Sequence, residues 1–124
     1  MENVLNQRQQ NIVAIACLEA KGDLENLSGA IHTGLDEGLT VSEIKEALSH
    51  LYAYTGFPRS LNALGVLQQV LAERKAKGIR DKEGKEADPL PDDFDALKEG
   101  TAIQTKLSGA AFDYTFAPAT DYYL

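Results

Sequence analysis

The sequence predicts an all-α fold, and three observations predict it. Apolar residues recur at spacings of three and four along four successive stretches. Glycine punctuates those stretches at Gly22, Gly38, Gly56 and Gly78. No segment of strand length alternates apolar and polar residues.

The first helix is expected from about Leu5 to Ala20, stopped at Gly22. Ile12, Ile15, Ala16 and Cys17 cluster near one side of it, which reads Cys17 as a small core hydrophobe. Asp23 is a good N-cap for the second helix, where Leu24, Leu27, Ile31 and Leu35 form an apolar stripe. His32 lies at the edge of that stripe as a partly buried residue. Thr40-Val41-Ser42-Glu43 fits a capping box that opens the third helix. Val41, Ile44, Leu48, Leu51 and Thr55 form its inward stripe. A second stripe holds Glu43, Glu46 or Ala47, His50 and Tyr54. Gly56 and Pro58 break it, and Pro58 suits the first turn of a fourth helix. There Leu61, Leu64, Leu67 and Leu71 share a face that Val66 and Val70 widen, and Gly65 would let another helix approach. So wide an apolar face belongs to a helix in the domain centre or at a subunit interface.

Beyond Gly78 the chain changes character. The run from Glu73 to Glu86 holds six bases and four acids and reads as a solvated helix end and loop. Asp88 to Asp92 is a stiff linker. Asp92 or Asp93 is placed to cap a short helix to about Leu107. Phe112, Tyr114, Phe116, Tyr122 and Tyr123 are five of the nine aromatic residues. A solvated segment would not carry them, so the tail is expected to pack on the core or on a neighbouring subunit. The organisation expected is a helical core over residues 1–80, then linker, short helix and aromatic tail over 81–124.

Composition narrows the partners. The 124 residues make one domain, with 44% hydrophobic and 25% charged residues. Nineteen acids against twelve bases leave a formal charge of −7. Such a chain lacks the basic surface that phosphate backbones or anionic membranes select, so neither nucleic acid nor membrane is an expected partner. No apolar run approaches the roughly 20 residues of a transmembrane helix, and Met1 to Gln10 lacks the apolar core of a signal peptide. The expected compartment is the cytoplasm. One cysteine and two histidines exclude an internal disulfide, a two-cysteine redox centre and a Cys- or His-based metal site within one chain.

Candidate chemistry concentrates on the third helix and the turn after it. Glu46 and His50 are four apart and share a helix face, with Tyr54 one turn on. A carboxylate that orients an imidazole is a workable acid/base unit; the same spacing also describes an ordinary exposed pair. Gly56 to Ser60 leads into a helix N-terminus, where free N–H groups and the Arg59 guanidinium would hold a carboxylate. A surface arginine after a tight turn is the alternative.

Two segments, Gly38–Leu48 (GLTVSEIKEAL) and Tyr52–Leu64 (YAYTGFPRSLNAL), carry a family resemblance, supported by Ile12–Ala16 and Leu35–Gly38. Over roughly residues 5–75 the chain resembles the carboxymuconolactone decarboxylase family, which is related to alkyl hydroperoxidase D. The resemblance implies an antiparallel helical bundle of that type with an extended C-terminal tail, assembling as a trimer or hexamer with sites near subunit boundaries. It implies one of two chemistries: cofactor-free decarboxylation of a small carboxylated lactone, or thiol-dependent peroxidase activity. The thiol branch uses a Cys-x-x-Cys pair, a histidine and a glutamate. Aligned on Gly56, those places fall at Phe57, Ser60, Leu64 and Lys45. The thiols are missing, which disfavours the redox branch. The decarboxylase branch needs no thiol and no cofactor. His50 with Glu46 would serve as its proton shuttle, and Arg59 and Tyr54 would bind a small acid substrate. A non-catalytic oligomeric module that binds a ligand or another protein is the remaining alternative. Related chains continue into a second similar unit, and this sequence stops at Leu124.

Overall fold

The structure, a computed structural model, describes residues 4–111. The chain forms two compact units, Met1–Glu86 and Ala87–Leu124. The helices are α1 (Gln7–Lys21), α2 (Leu24–Asp36), α3 (Val41–His50), α4 (Tyr52–Thr55), α5 (Phe57–Ala76) and α6 (Ala96–Ser108). No strand occurs among the described residues. The aromatic stretch from residue 112 onward lies outside them.

Capping sets where the helices begin. Asn6 closes a capping box with Gln9, so α1 opens two residues later than the apolar pattern suggests. The Asp23 carboxylate accepts from the Asn26 N–H and starts α2. Thr40 and Glu43 form the expected reciprocal box at α3. Between α1 and α2 lie only Gly22 and Asp23, a loop short enough to make the two helices antiparallel neighbours.

In the first unit α1 packs on α2, and α2 and α3 both pack on α5. The core holds Ile15, Leu27, Ile31, Leu39, Ile44, Leu48, Leu67 and Val70, all nearly or fully buried. Each such side chain contributes about 1.5–3 kcal/mol of transfer free energy. Of the stripes read from the sequence, Leu27, Ile31 and Leu35 on α2 and Val41, Ile44 and Leu48 on α3 are buried; Leu24 sits at the lip, and Leu51 and Thr55, which lie past the end of α3, are half-buried. His32 is half-buried, as expected.

Three details of burial differ from the sequence reading. Cys17 is exposed. The buried face of α1 runs Asn11, Ile15, Glu19, and two residues past Ile15 turns roughly 200° around a helix, to the opposite side. On α5 the buried positions are Ser60, Ala63, Leu67, Val70 and Arg74, while Leu61 is exposed and Leu64 and Leu71 are half-buried. Gly65 faces open space within this chain.

The charged run is the third difference. It is no solvated loop throughout, because Arg74 is buried and residues 79–84 return over the start of α3 as a strap. The Lys82 and Glu83 carbonyls accept from the Val41 and Ser42 N–H groups at 2.9 and 2.8 Å, two donors that the first turn of a helix leaves free. Arg74 Nε donates to both Asp81 oxygens at 3.0 Å, Nη2 donates to Asp36 at 2.8 Å, and Nη1 lies 3.2 Å from His32 Nδ1. The hydrogen bonds to Asp81 hold the guanidinium pKa above its usual value; burial opposes them, and Asp36 adds to the rise.

The second unit contains α6. Asp95, rather than Asp92 or Asp93, caps it by accepting from Lys98 N–H at 3.1 Å. No α6 residue is buried, and Ile103 and Leu107 are exposed.

Candidate functional site

Helix α3 offers two faces, and the residues with chemical potential divide between them. The expected acid/base set lies on the outer one. Glu46 and His50 are both exposed, and no hydrogen bond or ion pair joins them among the described residues. The His50 ring packs against Tyr54 with centroids 5.3 Å apart, tilted by 54°. The helix breaks at Leu51, and Gly56 (φ 92°, ψ 160°) redirects the chain into α5. Only glycine occupies that conformation without strain. Arg59 follows in the first turn of α5, exposed, with its guanidinium over the α1–α2 turn: a Cβ at Gly22 would stand 3.7 Å from Arg59 Cζ. The structure thus brings His50 and Tyr54 together; among the described residues it forms no bond from Arg59 to either. Around this shoulder Tyr52, Tyr54, Phe57 and Leu61 are all exposed, and Tyr52 meets Phe57 edge-on at 6.0 Å.

The flank of α3 that carries Val41 and the exposed Lys45 and Ser49 lines a groove against α5 of about 520 Å³. Val41, Leu64, Leu67 and Leu71 floor it, and Lys45, Ser49, Gln68 and Glu83 rim it. Sequence reasoning passed over that polar set. The signal was present, since Val41, Lys45 and Ser49 are spaced by four and must share a face. Lys45 and Leu64 are two of the positions aligned with the thiol branch's functional residues. Ser60 is a third, and its hydroxyl is committed to the Leu48 carbonyl at 2.7 Å.

A carboxyl group is buried where α1 meets the α4–α5 turn. Glu19 is 0% exposed. Its Oε1 accepts from the Thr55 hydroxyl at 2.6 Å, and its Oε2 has no partner among the described residues. Thr55 Oγ1 also lies 3.0 Å from the Leu51 carbonyl, so one hydroxyl hydrogen faces two acceptors. Among the described residues no group of three or more His, Cys, Asp or Glu is placed to hold a metal ion, and no helix is long and apolar enough to cross a membrane.

In comparison with known protein families, residues 1–69 match the carboxymuconolactone decarboxylase family. No curated protein and no solved structure matches the chain.

Proposed function

The chain belongs to the carboxymuconolactone decarboxylase family, and from that premise we propose that it is a cofactor-independent lyase acting on a small carboxylated lactone or related acid in the cytoplasm. In this reading Arg59 anchors a substrate carboxylate through charge-assisted hydrogen bonds. The bond from carbon to the departing carboxylate breaks, CO2 leaves, and protonated His50 delivers a proton to the carbon that keeps the electron pair. Glu46 orients the imidazole and Tyr54 supports it. The observation behind the reading is the shoulder itself, where His50 packs on Tyr54 among exposed Tyr52, Phe57 and Leu61. Exposed apolar clusters of this kind mark contact surfaces. Self-association as a trimer or hexamer would cover them and exclude water from His50.

The test is CO2 release from 4-carboxymuconolactone by the purified protein, alongside its mass in solution. His50→Ala is expected to lower turnover by a hundredfold or more, with Arg59→Ala raising KM. Leu61→Glu is expected to yield monomers and to lose turnover with them. Wild-type turnover that survives His50→Ala would sink the assignment.

A second reading, a non-catalytic oligomeric ligand- or protein-binding module, is favoured by one observation: Glu46 and His50 face solvent without a bond between them. An assembled protein that releases no CO2 would support it. The thiol-peroxidase alternative has the weakest support, since Cys17 is the chain's one cysteine and no second thiol exists to resolve a sulfenic acid.

A further inference from the structure

We propose that the α3–α5 groove is a binding site for an elongated apolar monocarboxylate, held by Lys45. The site is distinct from the His50 shoulder and does not rest on the lyase reading. Its volume, about 520 Å³, falls within the usual 300–1,000 Å³ of small-molecule sites. The floor is entirely aliphatic, and three of the four rim groups can donate hydrogen bonds: the Lys45 ammonium, the Ser49 hydroxyl and the Gln68 amide. A second hollow of about 340 Å³ continues from the first, sharing Val41, Leu71 and Glu83 with it. That hollow adds Lys75 and Arg80.

Charge selects the ligand. The side chains of Lys45, Lys75 and Arg80 make no hydrogen bond or ion pair among the described residues, and Asp81 is already committed to Arg74. Glu83 is the remaining uncommitted carboxylate in the two hollows. Three free cations against one free anion make this a basic concavity on a chain of net charge −7. A carboxylate gains charge-assisted hydrogen bonds at Lys45, while its apolar body covers Leu64, Leu67 and Leu71. An amine with the same body would meet the same three cations. The strap forms the wall at Glu83, so the site exists only while residues 79–84 are folded onto α3.

The experiment compares two probes with one body and opposite charges, 4-phenylbutyrate and 4-phenylbutylamine. Each is titrated at low ionic strength into the full chain, and backbone amide shifts are followed by NMR. The acid is expected to bind at least fivefold more tightly and to move the amides of Lys45, Ser49, Leu64 and Gln68. Lys45→Met is expected to cut the acid's preference at least twofold, the remainder coming from Lys75 and Arg80, whereas Lys21→Met, which removes an equal charge on α1, keeps the full preference. Equal or tighter binding of the amine, an acid preference undiminished by Lys45→Met, or shifts confined to other surfaces would each overturn the proposal.

Discussion

At the residue scale, the most telling group is Glu19, a fully buried carboxyl with one bonded oxygen and one that has no partner among the described residues. Burying a polar group is tolerable when it is hydrogen-bonded and costly when it is not. Thr55→Val removes the bond at 2.6 Å and leaves both oxygens bare, at an expected cost of about 1–3 kcal/mol. Glu19→Met fills similar space without the polar atoms and is expected to be neutral or stabilising. In the Glu19→Met background Thr55→Val then costs little, since the carboxyl it served is gone. Urea unfolding of the four proteins measures this as a coupling of about 1 kcal/mol or more; additive effects would show that the pair does not interact. Spacing alone marked Glu19, which lies four residues past Ile15 and so shares its helix face. A glutamate there still reads as surface until its burial is seen. Glu46 and His50, by contrast, were legible as a helix-face pair, and the structure leaves them in the open.

At the element scale, capping and periodicity made most of the fold readable, and failures fall where a polar residue occupies the inner face. The α2 and α3 stripes were legible because their buried positions, Gly34 and Ser42 apart, are aliphatic. The α5 stripe was misread because its buried face is Ser60, Ala63, Leu67, Val70 and Arg74, of which only Leu67 and Val70 stood out. Ser60 is tolerated inside because it bonds the Leu48 carbonyl, and Arg74 because it meets Asp81 and Asp36. The strap was hidden for the same reason, since a run of charges gives no sign that one of them is buried. Gly84 closes the strap with φ 83°, and a Cβ there would stand 2.3 Å from Thr40 Oγ1 and 2.5 Å from Thr40 Cβ. Gly84→Ala is therefore strained in backbone and blocked by contact, a cost above about 1 kcal/mol. The strap is expected to loosen while the bundle stays folded. Hydrogen exchange at the Val41 and Ser42 amides, which donate to the strap, should then accelerate about tenfold or more, with the Ile31 and Leu67 amides unchanged. Unaltered exchange at Val41 and Ser42 would mean that the strap does not depend on Gly84.

At the scale of the whole molecule, the fold class and family were readable because they rest on patterns repeated over many residues, whereas the groove depends on which turn of α3 faces α5 and on a returning strap. The same scale governs acid stability, where a chain of net charge −7 is subject to two opposing effects. Protonating carboxylates from pH 7 down toward the pI near 4.7 relieves self-repulsion. Below that, native carboxylates that are hydrogen-bonded as anions must take up protons. Glu43 is the clearest of these. The Arg8 guanidinium bridges both of its oxygens and ties α1 to α3; that hydrogen bonding holds the Glu43 pKa below its ordinary value, opposed by burial and reinforced by the Thr40 hydrogen bonds. A depressed folded pKa means that this stabilisation is complete above the unfolded value of about 4.3 and is lost as pH falls through the folded one. The pair is partly exposed, with side chains 46% and 35% accessible, so solvent and salt limit its worth to about 1 kcal/mol or less. Glu43→Gln isolates the charge, because glutamine still completes the capping box. Thermal unfolding should therefore find wild type more stable than Glu43→Gln at pH 7, with the gap shrinking progressively as pH falls below about 4.3. A gap that stays constant down to pH 2 would show that packing at this position, and not the carboxylate's charge, joins α1 to α3.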